Sequence, residues 1–232
     1  MRLPPSISLL SRRAQYGVSL LFALMTLVAM ALAAAALVRS VDTGAQLLGN
    51  LGFKQDATAA ADQAARQAID WLSLNKTNLN VDASASGYYA STQDLAADGV
   101  TAQPPLDATA QQLPATANRR LIDWDGNSCA AAPSGSHGGC SVLSASAGTI
   151  NGNVARYAVF RLCSKPGDPL ADSSVSCAQR PVNTKDCGGS KGSMSYGDMP
   201  LPCPGPSTYY RIVVRVLGAR NTASFTETIV HF

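Results

Sequence analysis

The sequence predicts an α+β fold: one long N-terminal α-helix, then loops, then a small antiparallel β-sheet. Three observations predict it. Residues 18–38 form an apolar run without a charge, and residues 56–74 are rich in alanine at helical spacing. Towards the C-terminus, Val154–Leu162 and Tyr209–Leu217 are dense in β-branched and aromatic side chains. Strands gathered after a helix, rather than alternating with it, are the α+β pattern.

The apolar run Val18–Val38 is about 21 residues, or about 31 Å as a helix, the thickness of a bilayer core. Arg12 and Arg13 precede it and Arg39 follows it. Two arginines on the N-terminal side favour keeping that end in the cytoplasm and the rest of the chain outside the membrane. Three readings compete. A cleaved secretory signal has a shorter apolar core of about 7–15 residues, although Ala33–Ala36 offers small residues for a cleavage site. A plain uncleaved anchor needs nothing beyond the run. The third reading takes in the short basic leader ending in Gly17, directly before Val18. Cutting there, on the cytoplasmic side, would retain the apolar helix.

From Asp56 to Leu74, alanine is the best helix former. Ala57, Ala61, Ala64, Ala68 and Leu72 recur at three- and four-residue spacing, a shallow stripe broadened by Ala60, Ile69 and Leu74 and suited to close packing on a sheet. Gly44, Gly49 and Gly52 lie between the two helical stretches, each weakening helix by about 1 kcal/mol. A flexible zone that lets the head reorient and a simple loop or kink both fit them. If the helix runs unbroken to Asn75 it is about 85 Å long. Residues 75–120, with Pro104-Pro105 and Pro114, read as loop with one short helix, and Asn118–Trp124 as a short strand. In Tyr209–Leu217, Tyr210, Ile212, Val214 and Val216 fall on one face, buried, and Tyr209, Arg211, Val213 and Arg215 on a wetter one. Ser224–Phe232 is its hairpin partner.

The formal charge is +3, but Arg2, Arg12 and Arg13 supply all of it, so the chain from Val18 onward sums to zero. Glu227 is the sole glutamate. No basic patch of the kind a nucleic-acid binder carries is present. The six cysteines, Cys129, Cys140, Cys163, Cys177, Cys187 and Cys203, contain no CxxC pair, which argues against a zinc ribbon or redox motif. Their even number and Gly/Pro/Ser-rich setting point to disulfides in an oxidising compartment. Of the fifteen possible pairings, nearest-neighbour pairing (Cys129–Cys140, Cys163–Cys177, Cys187–Cys203) closes three short loops. Cys163–Cys203 stands beside it, because both lie near strand ends.

Catalytic signatures are sparse. His137 sits in a Gly/Ser loop and His231 near the end of the last strand, without the ligand spacing of a metal site. There is no Gly-x-Ser-x-Gly, no phosphate loop and no dinucleotide fingerprint. Asp123, Asp125 and Asn127 place oxygen donors at alternate positions, like the start of a calcium loop. The glycine comes two places early, however, and Ser134 stands where the last ligand should be glutamate; an Asx-rich turn explains the stretch equally. Tyr88, Tyr89 and Tyr196 lie in loops that could meet a partner, or are ordinary surface.

The leader Arg12-Arg13-Ala14-Gln15-Tyr16-Gly17 followed by Val18-Ser19-Leu20-Leu21-Phe22-Ala23-Leu24 resembles the processing signal of the type IV pilin and type II secretion pseudopilin superfamily. Arg39-Ser40, Gly49-Asn50 and the Ala-rich Asp56–Arg66 extend the likeness over about residues 12–75, towards the PilX-type minor pilins. The resemblance implies cleavage after Gly17 by a prepilin peptidase and N-methylation of Val18. It implies a pilin-like fold: leader 1–17, transmembrane and assembly helix 18–39 with Phe22, Leu24, Leu27 and Val28 on its apolar surface, its continuation 40–75, and a periplasmic α+β head 76–232 with disulfide-bonded loops. The fifth mature residue, glutamate in most of the superfamily, is Phe22 here. A carboxylate in an apolar filament core is costly unless paired with a neighbour's amine, so its absence implies a subunit with nothing above it, at the filament tip. The expected role is non-enzymatic and needs no cofactor: priming pilus assembly, with other minor pilins, the major pilin, the prepilin peptidase and a tip adhesin as partners. A K-type pseudopilin of type II secretion, which shares the missing glutamate but carries a larger head, and a signal-anchored periplasmic enzyme or binding domain are the rivals.

Overall fold

The structure, a computed structural model, describes residues 18–180, 207–218 and 221–231. The chain divides into two compact units, Met1–Gly52 and Phe53–Phe232. Helix α1 runs without a break from Val18 to Leu74, so Gly44, Gly49 and Gly52 lie within helix and not in a loop. Their cost, about 1 kcal/mol each, is spread among leucines and alanines that favour helix. None has another atom within 4 Å of where a Cβ would stand, so packing within the chain does not demand glycine there.

In the first unit the helix satisfies its own polar groups. Thr26 Oγ1 donates to the Ala23 carbonyl and Thr43 Oγ1 to the Arg39 carbonyl, each at 2.9 Å. A hydroxyl folded back on its own helix leaves no donor facing an apolar surrounding.

In the second unit the alanine stripe is the helix's buried face. Ala60, Ala61, Ala64, Ala68 and Leu72 are all 0–1 % exposed and pack on Tyr157, Val159, Ile212 and Val214. Side chains this small let the helix sit close to the strands. Asn75 ends α1: its backbone amide, at 3.1 Å, and its side-chain amide, at 2.8 Å, both donate to the Trp71 carbonyl of the last turn. Asn153 Nδ2 donates 2.6 Å to Asp56, tying the helix to the start of a central strand.

Among the described residues eight strands follow: β1 (Tyr88–Tyr89), β2 (Leu106–Asp107), β3 (Arg120–Asp123), β4 (Gly139–Leu143), β5 (Ala145–Ile150), β6 (Asn153–Arg161), β7 (Tyr209–Leu217) and β8 (Ala223–His231). The larger sheet runs β1-β6-β7-β8, with β5 also paired to β6. Its β5, β6, β7 and β8 are antiparallel neighbours, whereas β1 joins β6 in parallel. A second sheet, β2-β3-β4, is wholly parallel. The expectation of one small antiparallel sheet is therefore corrected to a mixed five-stranded sheet plus a parallel three-stranded one. The chain between the helix and β6 supplies short parallel strands that periodicity could not reveal, two of them only two residues long.

The second sheet also corrects the reading of β7. Tyr210, Ile212, Val214 and Val216 are buried against the helix as expected. On the opposite face Tyr209, Arg211 and Arg215 are half-buried, the wetter side as expected, but Val213 is buried: with Ala158 and Phe160 it meets Ile122, Trp124 and Val142. Residues 75–120 hold two 3₁₀ turns, Lys76–Asn78 and Ser84–Ser86, rather than one helix. Gly87 follows the second with φ +65°; a Cβ there would stand 2.7 Å from the Ala145 amide nitrogen and 2.9 Å from the Tyr157 carbonyl oxygen, so only glycine lets β1 reach β6. Buried Arg161 organises the sheet's end, donating to Asn80 Oδ1 and the Gly167 carbonyl at 2.8 Å and to the Leu79 carbonyl at 3.3 Å.

Candidate functional site

Two surfaces stand out, one in each unit. In the first, Leu20, Leu21, Phe22, Leu24, Met25, Leu27 and Val28 are all exposed, as are Leu32, Leu37, Val38 and Val41. This is one helix long and apolar enough to cross a membrane. Phe22, Leu24, Leu27 and Val28 thus lie on the exposed apolar surface of this helix. Val18 is the first helical residue, and Gly17 lies outside the described residues.

In the second unit a groove of about 330 Å³ opens between the turn after β2, the end of β3, the loop before β4 and the start of β8. Ala108, Ile122, Trp124, Pro133 and Phe225 line it, with Arg215 beside them. Arg215 donates to both carboxylate oxygens of Asp125 and lies 5.8 Å over the Trp124 ring. That pairing holds the Asp125 carboxyl below the usual carboxylate range. Trp124 donates 2.8 Å to the Ala108 carbonyl and meets Phe225 edge-on.

The oxygen donors proposed from sequence do not converge. The Asp123 carboxylate accepts the amides of Ser128 at 2.8 Å, Asn127 at 3.1 Å and Asp125 at 3.3 Å. Asp125 turns to Arg215, and Asn127 Oδ1 accepts the Ala130 amide. The stretch is built as an Asx-type turn. Asp123 also lies near Cys129 and Cys140, but these form a disulfide and offer no thiolate to an ion. Cys163 pairs with Cys177, which rules out Cys163–Cys203. Cys187 and Cys203 lie outside the described residues.

A buried ion pair anchors the loop that walls the groove. Arg119 Nη1 donates 2.9 Å to Asp107 Oδ2, and the two side chains are 6 % and 0 % exposed. Asp107 also accepts the amides of Leu113 at 3.0 Å, Thr109 at 3.2 Å and Gln112 at 3.3 Å. Burial pushes the Asp107 carboxyl up, but these amides and Arg119 outweigh it and leave it below its ordinary value. Arg119 donates further to the carbonyls of Ser136, Ala110 and Leu113. Along this groove Asp107 and Asp123 are thus engaged in holding backbone, and Asp125 in holding Arg215. Neither Asp107 nor Arg119 carries a sequence signal, because their partners are turn amides that the fold alone brings together.

Tyr88 and Tyr89 are not exposed: they are 0 % and 4 % accessible. Tyr88 donates 2.6 Å to the Leu79 carbonyl, and Tyr89 bonds the backbone of Leu143. Two adjacent residues on a strand face opposite ways, so each tyrosine fills a different core. Tyr196 lies outside the described residues. His137 is half-buried beside Ser136 Oγ, and His231 stands edge-on to Tyr209. In comparisons with known proteins, the chain matches no family model, no curated protein and no solved structure.

Proposed function

We propose that the chain is a PilX-type minor pilin that primes type IV pilus assembly. The observation that carries this reading is α1. Its first part buries nothing within the chain, and from Ala57 onward it is embedded in the head through an alanine stripe. A helix serving only as an anchor gains nothing by continuing into a sheet's core, whereas a subunit drawn from a membrane into a fibre needs its head built on the same helix as its apolar stem. On this reading a prepilin peptidase cuts after Gly17, and Leu24, Leu27 and Val28 pack with the helices of other minor pilins and the major pilin. The absence of a carboxylate at Phe22 supports a position at the tip, next to an adhesin. The head is then periplasmic, in keeping with its two disulfides.

The test is deletion of the gene in its host with complementation by wild-type and Phe22→Glu forms. Surface pili should fall sharply on deletion and return with the wild type. Unchanged piliation in the deletion strain would sink the reading.

A further inference from the structure

We propose that the outer edge of β8 is a docking edge for an extended segment of a different protein, taken up as one more strand of the larger sheet. The proposal goes beyond the pilin reading and stands on sheet geometry whatever the chain's role. Tyr209, the first residue of β7, accepts the Leu162 amide at its carbonyl (2.9 Å) and donates its own amide to the Ala178 carbonyl (3.0 Å). Both groups therefore point away from β8. In an antiparallel ladder a residue's two backbone groups share a direction, and that direction alternates along the strand. Tyr210, Ile212, Val214 and Val216 thus turn to β8, where Val230, Thr228, Thr226 and Ser224 are their register partners. The bond from the Gly218 amide to the Thr222 carbonyl, 2.9 Å, continues that phase. Ala223, Phe225, Glu227, Ile229 and His231 are left with amides and carbonyls directed outward. Beyond β8 the sheet has no further strand among the described residues.

Open edges are ordinarily blunted by lysine, proline, a bulge or short length. β8 has none of these: nine residues pair with β7 in unbroken register, and none is proline or lysine. Its one acidic residue, Glu227, is matched by Arg211 at 2.9 Å, so the strip is electrically neutral. A row of alternating donors and acceptors is complemented by the main chain of an extended polypeptide. The flanking side chains define its composition. Ile229, 58 % exposed, and Phe225 lie on one face, and Thr226 and Thr228 on the other. The fitting segment is neutral and free of proline, with apolar residues opposite Phe225 and Ile229, an uncharged residue opposite Glu227, which lies between them on the same face, and hydroxyl or β-branched residues on the other face. A second copy of this chain fits worse. Glu227 is the midpoint of β8, so two-fold antiparallel pairing over the full strand sets Glu227 against Glu227.

The test follows amide hydrogen exchange by NMR in the isotope-labelled full chain in detergent micelles, with a capped peptide of alternating threonine and valine as the probe. The amides of Phe225, Glu227 and Ile229 should exchange readily alone and slow by about tenfold or more with peptide, while Thr226 and Thr228 stay protected throughout. Ile229→Pro removes an outward amide without touching the β7 ladder. It should keep the melting temperature and abolish the peptide effect, and Ile229→Lys, which leaves the main chain intact, should weaken it. Outward amides already protected in the isolated chain would overturn the proposal, whether another part of the chain or a second copy covers them. So would exchange that peptide leaves unchanged, or a peptide effect that survives Ile229→Pro.

Discussion

Replacing Asp107 with asparagine keeps the shape of the side chain and removes its charge, and it should destabilise the head more than any surface ion-pair change. The carboxylate is fully buried and accepts the Arg119 guanidinium and the amides of Leu113, Thr109 and Gln112. Breaking a buried pair by removing one partner costs about 3–5 kcal/mol. Arg119 keeps three carbonyl acceptors, so the lower end, about 3 kcal/mol, is expected. For a unit of this size that lowers the melting temperature by about 6–12 °C. The assay is thermal unfolding of the full chain in detergent, followed by circular dichroism over a pH series. The folded carboxyl titrates below its unfolded value of about 3.9. Its contribution is therefore present above about pH 3.9 and is lost as the pH falls through the folded value. The gap between wild type and Asp107→Asn should accordingly narrow in acid. Asp125→Asn, whose carboxylate is 47 % exposed, should cost about 0–1 kcal/mol. A shift for Asp107→Asn no larger than that for Asp125→Asn, or a gap constant across pH, would refute the reasoning.

Other outcomes follow from the same structure. Ala64→Leu forces a large side chain between helix and sheet and should cost about 1–3 kcal/mol, whereas Ala59→Leu on the exposed face should stay within about 0.5 kcal/mol; chemical denaturation reads both. Replacing Cys163 and Cys177 with serine should cost about 2–4 kcal/mol, and unfolding wild type under reductant, which also opens Cys129–Cys140, should show a larger loss. Burial pushes the Tyr89 hydroxyl up to about 12 from its ordinary 10.0, so its stabilising share persists below about pH 10 and is lost as the pH rises through about 12. Tyrosinate absorbance should show that late titration, and Tyr89→Phe should lower its amplitude by one tyrosine, since burial also raises the hydroxyls of Tyr88, Tyr157 and Tyr210.

The helix and the last three strands were legible because their signals are local and long. The alanine stripe has a 3.6-residue period, and Val154–Leu162 and Tyr209–Leu217 predict β6 and β7 to within a residue. The residues alone leave the continuity of α1 through Gly44, Gly49 and Gly52 open, because three separated penalties compete with helix formers whose sum no single residue displays; the continuation over 40–75 that the resemblance implies is the one the helix follows to Leu74. Asn151-Gly152, with φ of 50° and 82°, is the hairpin signal that announces β5, and it passed unread amid the Gly/Ser-rich surroundings. Of the parallel sheet only β3 is legible, within Asn118–Trp124; β2 and β4 are two and five residues long, and the pairing joins separate stretches of chain. For the same reason Asp107, Arg119 and Arg161 look like surface charges until the fold buries them. Tyr88 and Tyr89 were misplaced because their loop-like neighbourhood hides a two-residue strand that inserts one ring into each core.

The central claim is tested most directly by the mass of the N-terminal peptide, with the intact mass, of the chain extracted from its native membrane without reductant. The account predicts a chain beginning at N-methylated Val18, with α1 retained whole and its cysteines oxidised. A chain beginning at Met1 would reduce α1 to an anchor, and one beginning after Ala36 would contradict the account from its first step.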